Sequence, residues 1–231
     1  MEIKPQIRPK AIRSYVIRSG RMTESQRTAY DQHWDAYGLD LANGIYDLTA
    51  LFGRESSKIL EIGFGMGDSL IDMCAADPDS DFIGVEVHPP GVGRAMNRAA
   101  DLELTNLRVF LADAKDVLLE CLPDGSLARV QIYFPDPWHK KKHHKRRLLQ
   151  PEFVQLVASK LQPGGLMHMA TDWEAYAEQM NEVLKAEPVF ANQSEYGEYV
   201  ERPSWRPETK FERRGARLGH SVWDLLYKKC A

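Results

Sequence analysis

The stretch FPDPWHKKKHHKRR, residues 134–147, holds the densest chemistry in the chain. Asp136 sits between two prolines, and the nine residues 139–147 behind it carry six Lys or Arg and three His with no acid among them. The whole chain has a formal charge of -3, so this block is a local device, and polyanions are the usual target of such blocks. It follows an apolar run, ARVQIYF, at the kind of strand-end loop where α/β enzymes keep reactive groups. A reactive turn fused to a polyanion grip points to chemistry on nucleic acid. In isolation Asp136 also suits a turn residue between two prolines, and the block a solvated charge run, but the position behind a buried strand shifts Asp136 toward chemistry. Trp138 is open between stacking on a base and packing beneath the loop. His139, His143 and His144 have no Cys or acid beside them, so no metal site is expected.

A second constellation lies in ILEIGFGMGDSL, where Glu61, Gly63, Gly65 and Gly67 fall at a strand–helix junction. Glycines there permit positive φ and let a ligand press against bare backbone. Glu86 ends the next strand at ribose-acceptor spacing, and Asp113 in FLADA follows the third. NAD and S-adenosylmethionine both suit this outline. The run is GxGxG followed by Asp68, and a carboxylate in the first helical turn would repel a pyrophosphate. Glu61, Glu86 and Asp113 favour the sulfonium cofactor, whose ammonium group welcomes acids. The plain alternative is a tight strand–helix turn with no ligand.

These residues need elements to position them. KILEIG, DFIGVEV, NLRVFLA, ARVQIYF and LMHMAT read as strands, and segments near 67–76, 90–103, 114–121, 150–161 and 173–186 as helices. Such alternation is the signature of a mostly parallel sheet with helices on both faces. Ser221 to Tyr227 reads as one more strand near the sheet edge. Upstream, Thr23 or Ser25 offers a helix cap, and Trp34, Tyr37, Leu41, Ile45 and Leu48 recur at helical spacing, with Gly38 and Gly44 as interruptions. Residues 1–22 are basic, contain Pro5 and Pro9, and read as a flexible or partly ordered arm before a single domain over 23–231.

Composition bounds the answer further. The 231 residues suit one large domain, and 43% hydrophobic with 27% charged residues is ordinary for a globular chain. No window reaches the length of an uncharged membrane span, and the opening MEIKPQIRPK lacks the apolar core of a signal peptide. Cys74, Cys121 and Cys230 are distant and odd in number, which argues against a disulfide framework and for a cytoplasmic setting. Residues 1–27 carry seven cations against two acids and residues 201–219 six against three. Together with 139–147 these segments hold +14, leaving -17 on the rest of the chain. Three basic patches on an acidic body would guide a polyanion if the fold brings them together.

ExGxGxG, GVEVHPPGVG, FPDPWHKKKHHKRR, HMATDWEAYAE and TKFERRGARLGHSVWDL together resemble the tRNA (guanine-N7)-methyltransferase family, bacterial type, from about Arg13 onward. The resemblance implies a class I S-adenosylmethionine-dependent, Rossmann-like fold with a seven-stranded sheet. It also implies methylation of guanine 46 in the tRNA variable loop. By matching motifs, Glu61, Gly63, Gly65, Glu86, Asp113 and Asp136 correspond to cofactor contacts, with Asp136 also in the catalytic turn. Lys140, Asp172, Thr209, Lys210, Phe211 and Glu212 correspond to substrate contacts. Lys142, His143, His144, Lys145, Arg146 and Arg147 correspond to the RNA-binding segment. The partner expected is tRNA, with no membrane and no obligatory protein partner, in a monomer or homodimer. Three rival readings remain: an amino-group methyltransferase with an Asp-Pro-Pro-aromatic-like turn, a nucleic-acid-binding module that no longer catalyses, and a dinucleotide oxidoreductase.

Overall fold

Thr23 starts the first helix: its hydroxyl accepts from the Gln26 N–H while the Gln26 side chain accepts from the Thr23 N–H. This reciprocal cap satisfies two otherwise orphaned donors. The helix, α1 (Glu24–Tyr37), stops where Gly38 turns extended, as the sequence leads one to expect. Gly38–Leu39 form a two-residue strand, β1, and α2 (Leu48–Phe52) follows under an Asp47 side-chain cap. The computed structural model describes residues 3–9, 12–16, 22–209, 212 and 221–230.

From Lys58 the chain alternates as its apolar runs predict. The elements are β2 (Lys58–Ile62), α3 (Asp68–Ala76), β3 (Asp81–Glu86), α4 (Pro89–Asp101), β4 (Leu107–Leu111), α5 (Ala114–Glu120) and β5 (Leu127–Tyr133). Then come α6 (Pro151–Lys160), β6 (Leu161–Thr171), α7 (Glu174–Lys185), β7 (Phe190–Asn192) and β8 (Trp223–Lys229). They assemble one sheet in the order β1-β4-β3-β2-β5-β6-β8-β7. Strands β2 to β6 pair in parallel, and β8 runs antiparallel between β6 and β7.

Side chains alternate between two cores, which is why β2 is buried along its whole length. Ile59, Phe82 and Val109 face one core, beneath α3 and α4, and Leu60, Ile83 and Phe110 face the other. The chain steps outward through β2, β3 and β4, then returns to lay β5 on the opposite side of β2. That reversal opens a crevice at the carboxyl ends of β2 and β5, where ligands of open α/β sheets bind.

One expectation needs correction. The sheet has eight strands, because Gly38–Leu39 adds a short edge beside β4 to the seven implied by resemblance. The C-terminal strand lies near the sheet edge as expected, one place in, with β7, three residues long and too short to carry a pattern, paired outside it. Among the described residues no helix is long and apolar enough to cross a membrane. None of their His, Cys, Asp or Glu side chains gather in threes that could hold a metal ion.

Candidate active site

The glycine loop after β2 is shaped from the neighbouring strand. Gly63, Gly65 and Gly67 adopt φ of 76°, 58° and 79°, conformations that favour glycine. Glu86 Oε2 accepts from the Gly65 N–H at 2.8 Å, and its Oε1 accepts from the Val87 and His88 N–H groups. Burial raises the Glu86 pKa, and these three donors oppose that rise. Gly91 on α4 completes the fit: a Cβ there would lie 1.9 Å from the Gly65 carbonyl oxygen. The glycine in HPPGVG therefore lets α4 press directly on the loop.

Asp113, after β4, caps α5 by accepting from the Lys115 N–H at 2.9 Å. Its other oxygen accepts from the Tyr15 hydroxyl at 3.0 Å. Glu61 is 3% exposed and accepts from Gln131 Nε2 at 2.9 Å. Burial pushes its carboxyl up to about 7, while the Gln131 amide and the Arg129 charge pull it back.

Two cavities meet over this loop, sharing Gly63, Tyr133 and Phe134. The smaller, about 220 Å³, is lined by Gly63, Glu86, Asp113 and Asp136 together with Ser14 and Tyr15. The larger, about 720 Å³, is lined by Glu61, Gly63, Gly65 and Thr209 among others. A Cβ on Gly63 or Gly65 would meet nothing within 4 Å, so the bare backbone faces open space. That space, ringed by the carboxylates of Glu61, Glu86 and Asp113, fits a nucleoside with a cationic amino-acid end.

The turn after β5 is strained where the sequence places its reactive residue. Phe134 and Trp138, at φ of 52° and 46°, bracket Pro135, Asp136 and Pro137. Left-handed aromatic residues cost on the order of 1–3 kcal/mol each and persist where surrounding structure imposes them. Trp138 packs within the loop: its Nε1 donates to the Ser14 carbonyl at 3.0 Å, and the Arg146 guanidinium covers its ring at 4.2 Å. Arg146 Nε in turn donates to the Arg13 carbonyl at 3.1 Å. The N-terminal segment is thus tied at residues 13–15 to both the basic block and Asp113.

The basic block divides in two. Residues Lys141–Arg146 form a 3-10 helix on which Lys141, Lys142 and Lys145 are exposed, as is Lys140 before it. His143 and His144 are half-buried. Arg147 is 3% exposed and faces inward, donating to the Pro137 carbonyl, the Ala175 carbonyl and Gln179 Oε1. Asp172 is exposed just past β6, and its neighbour Trp173 meets the His139 ring edge-on at 4.2 Å. Glu212 is buried, while Lys210 and Phe211 lie outside the described residues.

Sequence reasoning missed Ser14 and Tyr15, which have no local signal. It also passed over Gln131 and His168, each fully buried. Their signal was present: a polar side chain within an otherwise apolar strand asks for a partner.

A mostly parallel sheet reversing between β2 and β5, with β8 antiparallel, a glycine loop and acids at successive strand ends, is the arrangement of a class I S-adenosylmethionine-dependent methyltransferase. A family model described as "Putative methyltransferase" matches residues 55–225. The chain is 59% identical over 227 residues to the tRNA (guanine-N(7)-)-methyltransferase of Saccharophagus degradans, covering 98% of this chain and 99% of that one. It is 57% identical over 222 residues to the enzyme of the same name from Alcanivorax borkumensis, covering 96% and 93%. The chain belongs to the tRNA (guanine-N(7)-)-methyltransferase family. The fold is shared more widely: the 16S rRNA methyltransferase KamB superposes with a TM-score of 0.59 at 18% identity, over 81% of this chain and 95% of that one.

Proposed function

We propose that this enzyme transfers the methyl group of S-adenosylmethionine to N7 of guanine 46 in the variable loop of tRNA. The observation that carries the reading is the strained turn holding Asp136 against the cofactor cavity, with exposed lysines immediately behind it. Bound S-adenosylmethionine supplies an electrophilic methyl on a sulfonium sulfur. Guanine N7 carries no proton and keeps its lone pair on the Hoogsteen edge even when the base is paired. No general base is therefore needed, and catalysis reduces to alignment and charge stabilisation.

Asp136 positions the base and stabilises the positive charge that develops on the purine. Asp172, exposed beside it in the chain's next strand-end turn, holds the N1/N2 edge. Lys140, Thr209, Lys210 and Phe211 complete the guanine site, and Lys141, Lys142 and Lys145 grip phosphates. The inward orientation of Arg147 supports a role in anchoring the loop. At the cofactor, Glu61 receives the ammonium end, Glu86 the ribose and Asp113 the adenine amino group. Ser14 and Tyr15 supply a further wall, so the segment before residue 23 serves the catalytic domain over 23–231 as part of its pocket.

The test is methyl transfer to unmodified tRNA followed by nucleoside mass spectrometry. N7-methylguanine in the variable loop, lost when guanine 46 is replaced, is the expected result. N6-methyladenine or a modified amino group would move the enzyme to the amino-methyltransferase reading.

A further inference from the structure

Glu61, Gln131 and His168 form a transverse polar row through the middle of the sheet. In register, Glu61 pairs with Gln131 across β2 and β5, and Gln131 with His168 across β5 and β6. The Tyr133 hydroxyl lies 3.2 Å from Gln131 Oε1 and 2.9 Å from His168 Nδ1. Trp205 Nε1 also points at His168 Nδ1, at 3.2 Å. An indole N–H only donates, so Nδ1 is the bare nitrogen and Nε2 carries the proton given to Asp224 Oδ1 at 2.8 Å.

Beyond Asp224 the row reaches Arg206, which is 1% exposed. Arg206 donates through Nε and Nη2 to the two oxygens of Asp224, at 2.7 and 2.8 Å. Its Nη1 and Nη2 donate to the two oxygens of Glu212, at 2.7 and 2.6 Å. Glu212 Oε2 accepts as well from the Thr209 N–H, and the Glu212 N–H donates to Thr209 Oγ1. The same guanidinium lies 5.8 Å from the Phe134 ring, the residue that opens the strained Asp136 turn. One buried cation therefore touches β8, the loop carrying Thr209, and the turn carrying Asp136.

We infer that Arg206 is a positioning residue for methyl transfer, and that Glu212 serves as the anchor of the guanine loop through Arg206 instead of contacting the base. The inference rests on the guanine-methylation reading and refines it. Both carboxylate oxygens of Glu212 are committed to Arg206, and a bidentate pair fixes direction as well as distance. His168 and Asp224 hold the other side of the guanidinium, so the loop inherits its position from the sheet. The face of the loop that lines the larger cavity, at Pro207, Glu208 and Thr209, is left to meet the substrate.

The experiment compares Glu212→Gln, Arg206→Lys and the double variant in three readouts. These are kcat and KM for tRNA, cofactor affinity by calorimetry, and amide hydrogen exchange across residues 203–212. Each single variant is expected to lose roughly tenfold in kcat/KM for tRNA, with cofactor affinity within about twofold of the parent. The double variant should be no worse than the poorer single one, because the two residues act as a unit. Exchange at residues 205–209 should accelerate in Glu212→Gln. Multiplicative losses in the double variant, or unchanged exchange in Glu212→Gln, would overturn the inference by making Glu212 an independent substrate contact. If Arg206→Lys does not fold, hydrogen exchange in the isosteric Glu212→Gln variant decides alone. A parent enzyme making no N7-methylguanine would sink the functional reading, while the exchange result would still judge the anchor.

Discussion

At the end of β3 the Glu86 carboxylate is held by backbone N–H groups, whereas on β8 the Asp224 carboxylate is held by other side chains. Glu86 takes three backbone N–H groups from residues 65, 87 and 88, while Asp113 takes one from Lys115 and one bond from the Tyr15 hydroxyl. Asp224 and Glu212 instead share one buried guanidinium, and Asp224 takes a further bond from His168. Backbone donors fix a loop for any side chain that tolerates its φ. A side-chain chain transmits displacement from one member to the next. The cofactor half should therefore fail when a backbone contact is blocked, and the substrate half when a charge loses its partner.

The sharpest way to break the cofactor half is Gly91→Ala. The added carbon would stand 1.9 Å from the Gly65 carbonyl, so α4 and the glycine loop would have to separate. No flexible side chain can yield there, because the obstructing atom is backbone. Cofactor affinity is expected to fall by about a hundredfold or more, a few kcal/mol, with tRNA affinity nearly unchanged. Calorimetry with cofactor and filter binding with tRNA would separate the two. Comparable losses in both would show that the halves are not independent.

This contrast also explains what could be read from the sequence. Glu61, Glu86 and Asp113 stand at the ends of apolar strands, the first of them beside a glycine run, so their own local sequence marks them. Strand-by-strand patterning therefore located them. The two-residue β1 and three-residue β7 are too short for any period, which is why patterning read six strands where the sheet has eight. Tyr15 reaches Asp113 across 98 positions, and Arg206 reaches Asp224 across 18. Such pairings arise only after the sheet has formed. The basic block was legible as charge, yet nothing local distinguished Arg147, turned inward, from Lys145, facing solvent.

That distinction gives the second prediction, which sharpens the substrate half. Replacing Lys141, Lys142 and Lys145 with Ala removes three exposed cations. The dependence of log affinity on log salt should flatten by about two units, and tRNA affinity at moderate salt should drop on the order of tenfold. Arg147→Ala should act differently, since it removes donors to Pro137, Ala175 and Gln179. Its Tm is expected to fall by several degrees while the salt slope stays near that of the parent. A flattened slope in Arg147→Ala would return that residue to the phosphate grip.

Glu61 lies on the seam between the halves, with β2 on its own strand and Gln131 on β5. Its carboxyl, pushed up to about 7 by burial, binds a proton more tightly in the folded chain than in the unfolded one. The unliganded protein should therefore lose stability as pH rises between about 5 and 7, the reverse of the usual salt-bridged carboxylate. Binding a cationic amino-acid end needs the ionised form, so cofactor affinity should move the other way. It is expected to rise on the order of tenfold from about pH 5.5 to 7. Glu61→Gln should weaken binding at pH 7 and abolish most of that rise, because the amide does not titrate. An unchanged profile in Glu61→Gln would assign the pH dependence to another group and remove Glu61 from the ammonium site. The same calorimetric series run with adenosine, which lacks the ammonium, should be flat in both proteins if Glu61 meets that end of the cofactor alone.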